Sequence, residues 1–505
     1  MRSRIRAATI LMAVFAVSLG VPAPAGAAPS PCPAIPTVTE RCPAWIGSYN
    51  NPNGRGGTGD DVYRSAALSP AGDRLFVGGT SYDDVTSYDG LVAAFDTMTG
   101  NVVWSSRYDG PMRGYDTASA VTVSPDGSTV YSTGRSQGPD GDWDFATIAY
   151  DAATGVQRWV ARYDGPQHMD DRSFGIAVSP DGGTVFAGGT RDDELNNADA
   201  GDYGVVAYDA ATGEERWAAG YQGTAGQYDI VDKLLISRDG SRLYATGRSY
   251  GAGTGPDAVT VAFDTTDGDE LWAARYNGVG TGTDEGIDLA QSADGSRLVV
   301  VAPSASSSTG TNDWATVLYD TSSGAQLWAT RYNGGANGAD TVSAVAVCGA
   351  RAFVTGSSAE TGTGQDFRVA AYDLTTGAQV WQTTYATPGN WTDVPRGISA
   401  SPSCDRLFVT GNSLYPRAEF QPFEHLEYGS YLTTALSAAD GSRSWVSRYN
   451  SSGYGDDVSF AALVSPDART VYVAGTFVYN GAYSLQLGTP PPYSFDFGVV
   501  AYAAT

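Results

Sequence analysis

Apolar and polar positions alternate along both arms of residues 149–166, AYDAATGVQRWVARYDGP, on either side of an Asp-Ala-Ala-Thr-Gly turn. Alternation of period two, reversed by such a turn, predicts a β-hairpin, with Gly155 free to take the positive φ the turn needs. The second arm carries a tryptophan with a tyrosine four residues on. This pair recurs at Trp45, Trp104, Trp159, Trp217, Trp272, Trp328, Trp381 and Trp445, at intervals of 59, 55, 58, 55, 56, 53 and 64 residues. Between the landmarks every copy keeps one order. An aspartate opens an apolar strand, a Ser-Pro-Asp-Gly-like turn follows, a second strand ends in glycine, and a variable loop leads to a strand of the FATIAYD type and then the tryptophan strand. Short apolar runs with turn residues at each reversal predict four antiparallel strands per copy, the make-up of one blade of a β-propeller. No stretch has helical periodicity.

The ends predict how the ring closes. The strand at Trp45 has no first three strands before it, whereas Val458 to Val464, Thr470 to Gly475 and Phe495 to Ala503 have no tryptophan strand after them. Pairing the N-terminal strand with the last three gives an all-β, eight-bladed propeller of four-stranded antiparallel blades, closed within one composite blade and free of exposed edges. Residues 45–505 are then a single domain despite their length, with a proline-rich lead-in over 28–44.

Residues 1–27 have a different character. Arg2, Arg4 and Arg6 precede the apolar run from Ala7 to Gly20, and Ala25-Gly26-Ala27 supplies an A-x-A cleavage pattern. The run is too short to span a bilayer, so it reads as a secretory signal peptide, and the expected location is extracellular. Full-length net charge is −25, and without the three leader arginines it is −28. Lys233 is the only lysine. A chain this acidic has no electrostatic footprint for nucleic acid, and an anionic membrane repels it; neither is an expected partner. A monomer is expected.

Four cysteines in an exported chain predict disulfides. Cys32 and Cys42 lie close together in the lead-in and would close a small loop. Cys348 and Cys404 occupy matching turns of successive copies, a pairing that requires neighbouring turns to approach closely enough for disulfide geometry. With only His168 and His425, histidine-rich zinc sites and much acid/base chemistry are excluded.

The hairpin sequences AYDAATGVQRW at 149–159 and AYDAATGEERW at 207–217 resemble the repeat of PQQ-like, quinoprotein-dehydrogenase-like propellers. The RYDGP, SPDG and YSTG elements resemble repeats of secreted bacterial propellers. The resemblance covers essentially the whole mature chain and is specific for fold, much less so for function. One function it implies is a quinone (PQQ)-dependent dehydrogenase or another propeller enzyme. Such dehydrogenases use adjacent cysteines, a calcium ion and basic groups facing an anionic cofactor. This chain has no Cys-Cys pair and one lysine. PQQ is therefore not the expected cofactor, and no cofactor is required.

Two kinds of candidate chemistry remain. Asp61, Asp116, Asp171, Asp229, Asp284, Asp340, Asp393 and Asp457 open the innermost strands and would ring one channel mouth, either attracting cations or satisfying loop amides within each blade. Asp140, Asp142 and Asp144 alternate in PDGDWDF and could offer oxygens to calcium. Departure from the repeat points elsewhere, to the long loop between Gly411 and Tyr431 and to a second between Gly475 and Phe495. They hold Tyr415, Phe420, Phe423, His425, Tyr428, Tyr479 and Tyr483. Aromatics beside an acidic mouth suit a glycan or a protein ligand. The sequence thus reads as a secreted, non-catalytic binding or scaffold module acting through its loop face, with the dehydrogenase as the alternative.

Overall fold

The hairpin folds as its pattern requires. Gly155 has φ +72°, its N–H donates to the Asp151 carbonyl at 2.8 Å, and the Thr154 N–H donates to Asp151 Oδ1 at 3.0 Å. In the computed structural model, residues 41–51, 60–192, 201–279, 282–305, 311–362, 364–387, 391–416, 427–451, 457–480 and 493–505 are described. They form eight four-stranded antiparallel sheets, with no helix among them. Blade 1 runs through Asp61–Leu68, Arg74–Asp83, Ser87–Asp96 and Val102–Tyr108, and blade 2 through Ala120–Val123, Thr129–Gln137, Trp143–Asp151 and Gln157–Tyr163. Blades 3 to 7 repeat the order from Arg172 to Tyr449. In blade 8, Trp45–Tyr49 pairs with Tyr493–Ala503, from Trp45↔Ala501 to Tyr49↔Phe497. The predicted closure is the observed one.

Apolar clusters fill the spaces between blades; one packs Tyr63, Leu75 and Phe95 of blade 1 against Tyr472, Phe497 and Val499 of blade 8. The landmark tryptophans lock neighbours together. Trp104 Nε1–H donates to Ala152 O of the next blade at 3.0 Å, and Trp159 does the same to Ala210 O at 3.1 Å. The ring also lies on the hairpin glycine of that blade: a Cβ added at Gly155 would sit 2.5 Å from Trp104 Cε3. Trp45 docks likewise on Gly100 and Thr97 O, which carries the joint across the composite blade. Hairpin glycine is thus required twice, for its φ and for the indole stacked on it.

At the opposite edge of the ladder, several turns of the Ser-Pro-Asp-Gly type touch the next. The Pro125 ring meets the space above Gly182, as Pro180 does above Gly240 and Pro466 above Gly72. Cys348 and Cys404 stand in adjacent turns of this series, with Cα atoms 5.6 Å apart and a disulfide between them. The turns are close enough because the proline–glycine contact already demands it, and here a covalent bond takes the contact's place. Cys42 is disulfide-bonded; Cys32, and with it the predicted Cys32–Cys42 loop, lies outside the described residues.

Candidate functional site

The eight aspartates that open the innermost strands are at most 1 % exposed. Each accepts a hydrogen bond from a backbone N–H in the connection that leads into its blade. Gly110 donates to Asp116 at 2.9 Å, Gly165 to Asp171 at 2.5 Å and Gly334 to Asp340 at 2.6 Å. Several hold a second amide with the other oxygen, as Asp171 does with Asp192 N–H at 3.1 Å. Where both oxygens are so held, the carboxylate fastens the incoming connection to the second strand of the blade it enters. Burial pushes Asp61 up to about 6.

A second series of aspartates, near the start of each third strand, meets the arginines of the tryptophan strand. Arg107 Nη2 lies 2.5 Å from Asp89 Oδ2, Arg162 Nη2 2.5 Å from Asp144 Oδ2, and Arg275 and Arg331 lie 3.0 Å from Asp257 and Asp313. In blade 3 the arginine position is Gly220. A Cβ there would be 2.6 Å from Arg191 Nη2, so the missing side chain makes room for an arginine from the second strand.

Upon this repeated frame, the loop face of blades 1 and 2 carries a feature of its own. Tyr82 and Tyr88 meet edge to face at 5.0 Å, Tyr88 and Tyr115 at 5.1 Å, and Tyr115 and Trp143 edge to face at 6.0 Å. The Arg135 guanidinium sits between the last two rings, 4.8 Å from Tyr115 and 4.7 Å from Trp143. All four rings are half-buried. In blades 3 to 6 the Trp143 position holds Gly201, Pro256, Asn312 and Gln365, so the run of rings belongs to this junction. Beside it, one carboxylate oxygen from each of Asp89, Asp109 and Asp116 lies within 4.8 Å of the others. Burial raises the pKa of both Asp109 and Asp116, and the neighbouring Asp89 charge raises both further.

This juxtaposition has a faint signal in the sequence. An aromatic stands immediately before an aspartate landmark at Tyr88-Asp89, Tyr115-Asp116 and Trp143-Asp144. Loop length draws the eye instead to blades 7 and 8. There the second and third strands of blade 7 run on to Pro416 and resume at Glu427, with Tyr415 paired to Tyr428. The segment expected to be a loop from Gly411 is thus strand at both ends, up to Pro416 and from Glu427, because its alternation there continues the register of the ladder. Tyr479 pairs with Ser494 in blade 8. The side chains of these three tyrosines, and Phe420, Phe423, His425 and Tyr483 entirely, lie outside the described residues. Of the alternating trio, Asp144 is bound to Arg162, while Asp140 is exposed and Asp142 half-buried.

A further acidic pair joins the innermost strand of blade 4 to the connection leading into that of blade 5. Asp232 occupies a bulge between Val231 and Lys233 of blade 4. Burial, then the charge of Glu285 from blade 5, holds its pKa well above the usual carboxyl range, and Arg248 lies 3.5 Å from Glu285.

Residues 45–255 and 256–484 match the family described as outer membrane protein assembly factor BamB. No curated protein matches the chain in sequence. Among solved structures, quinohemoprotein alcohol dehydrogenase from Comamonas testosteroni is 14% identical at a TM-score of 0.52, over 91% of this chain and 76% of that one. Chaetomium thermophilum Sqt1 bound to the N-terminus of the ribosomal protein L10 is 12% identical at 0.55, over 92% of this chain and 100% of that one. Saccharomyces cerevisiae Sqt1 is 10% identical at 0.56 over the same shares. At these identities the likeness is one of fold.

Proposed function

From a chain that belongs to the PQQ-like propeller repeat family of outer membrane protein assembly factor BamB, we propose a non-catalytic binding module that takes a glycan on its loop face outside the cytoplasm. The observation that carries this reading is the run of four half-buried rings, Tyr82, Tyr88, Tyr115 and Trp143, with Arg135 stacked between the last two. Rings held by one another and by a guanidinium lose little freedom on binding, and each presents apolar surface to the C–H groups of a pyranose. Carboxylates alongside accept hydrogen bonds from sugar hydroxyls. The net charge of −25 disfavours polyanionic glycans, so the ligand class is neutral or amino-bearing oligosaccharides. Disulfide bonding of Cys42 and of Cys348 with Cys404 supports an oxidising compartment.

The test is a panel of neutral and amino-sugar oligosaccharides against the purified mature chain, followed by the Tyr115→Ala/Trp143→Ala variant. Loss of two stacked rings, at about 0.5–1.5 kcal/mol each, should weaken binding by roughly 5- to 150-fold. The melting temperature should move little, since both rings lie outside the inter-blade clusters. A panel without a single binder, or a double variant that binds as the parent does, refutes the reading.

A further inference from the structure

The junction of blades 1 and 2 carries a second chemistry beside its rings. Asp89 and Asp116 are 2 % and 0 % exposed, and each has one oxygen committed and one spare. Oδ2 of Asp89 takes Arg107 and the Thr86 hydroxyl. Oδ2 of Asp116 takes the Gly110 amide. Both Oδ1 atoms are buried and make no close hydrogen bond, with the Ser136 hydroxyl standing beside that of Asp116, and a buried oxygen left so calls for a ligand or a water. Asp116 Oδ1 looks toward the Asp109–Gly110 segment, since a Cβ at Gly110 would lie 2.5 Å from it. Asp109 itself is exposed and brings the third carboxylate.

One spare oxygen on the third-strand aspartate belongs to the repeat, for it recurs at Asp144, Asp257 and Asp313. What surrounds it differs. At the junction of blades 2 and 3, Asp171 commits both oxygens to amides, and His168 Nδ1 lies 2.7 Å from Asp164, the counterpart of Asp109. At blades 5 and 6, Asp340 is doubly committed and Asn333 stands in the third place. At blades 4 and 5, Asp257 and Asp284 both keep a spare oxygen, but Asn277 replaces the third carboxylate. Only at blades 1 and 2, among the described junctions, do two aspartates that each keep such an oxygen meet a third carboxylate.

We propose that Asp89, Asp109 and Asp116 bind one divalent cation, calcium in preference to magnesium. The three oxygens lie within 4.8 Å of one another, which suits a shell with metal–oxygen distances of about 2.3–2.6 Å. Calcium accepts irregular oxygen shells and an open side filled by water, whereas magnesium demands near-octahedral geometry and keeps its water. The site stands independently of the glycan reading, because it needs no sugar to form.

The experiment uses the mature chain, stripped with a chelator, and calcium alone as probe. Calorimetry should show one saturable site, with magnesium at least tenfold weaker, and calcium should raise the melting temperature by mass action. Asp109→Asn should weaken the site at least tenfold while leaving the circular dichroism spectrum unchanged, since this side chain is exposed. Asp164→Asn, the same change at the histidine-paired counterpart, should leave calcium affinity as it was. Absence of a saturable site overturns the proposal. So does a site that survives Asp109→Asn, or one that Asp164→Asn removes as effectively.

Discussion

The junctions between blades 1 and 2 and between blades 2 and 3 share one backbone. Gly110 and Gly165 donate to Asp116 and Asp171, Arg107 and Arg162 hold Asp89 and Asp144, and Arg113 and His168 take φ of 53° and 54° at the same turn. Two changes separate them. His168 pairs with Asp164, whereas Asp109 lacks such a partner among the described ion pairs. Asp171 spends both oxygens on amides, whereas Asp116 keeps one. One junction is thus electrically closed and the other open, with no change of fold. Function in a repeat protein can be written by substitution at fixed positions as well as by loop insertion.

The largest effect should come from the carboxylates both junctions share. In chelator, Asp171→Ala orphans two buried amides and Asp116→Ala one, at about 1–3 kcal/mol per group. Denaturant unfolding should rank Asp171→Ala as the more destabilising. A larger cost for Asp116→Ala without metal would show that the two carboxylates do not do the same structural work.

A smaller effect should follow from exchanging the two capping residues. Arg113→His replaces a permanent cation whose charge already acts on Asp109 with one that titrates, so calcium binding should become pH-dependent, weaker at pH 6 than at pH 8, because the imidazolium competes with the cation. The reverse change, His168→Arg, should create no calcium site, since Asp171 has no oxygen to spare. A new site in that variant would mean the third carboxylate alone decides binding.

The smallest effect concerns His168 itself, which is exposed. Its hydrogen bond to Asp164, and then the Asp164 charge, raises its pKa above the usual 6.5. A raised folded-state value means the pair's contribution is complete below the unfolded pKa and is lost as pH rises through the folded one. Asp164→Asn should therefore return the His168 titration, followed by NMR, toward 6.5, and should lower the melting temperature slightly at pH 5 but not at pH 9. An unchanged titration would remove the cap from the comparison.

Much of the candidate site was hidden for a definite reason. Asp89 and Asp116 each announce themselves as repeat landmarks, and a residue copied in every blade reads as scaffold. Their spare oxygens depend on which amides reach them, a matter of distances that spacing does not express. Tyr88, Tyr115 and Trp143 are ordinary residues in ordinary strands until the blades are set side by side. Loop length, by contrast, is plainly visible in the chain, and it directed attention to blades 7 and 8.

What the sequence determined alone was everything governed by local pattern and by counting: hairpins from period-two alternation, eight copies from the tryptophan spacing, and closure from the unmatched strands at either end. Each follows from the need to pair edges and bury alternating faces, which a chain states residue by residue. Only the tertiary structure decided contacts between neighbouring blades. Indole docking on Gly155 sets the separation of blades 1 and 2, and that separation brings Asp116 to Asp89 and Tyr115 to Tyr88. The spacing that lets proline meet glycine between other turns likewise places Cys348 within reach of Cys404. Such distances depend on how two packed surfaces meet, to within an ångström or so, and packing of that kind is a property of the assembled ring.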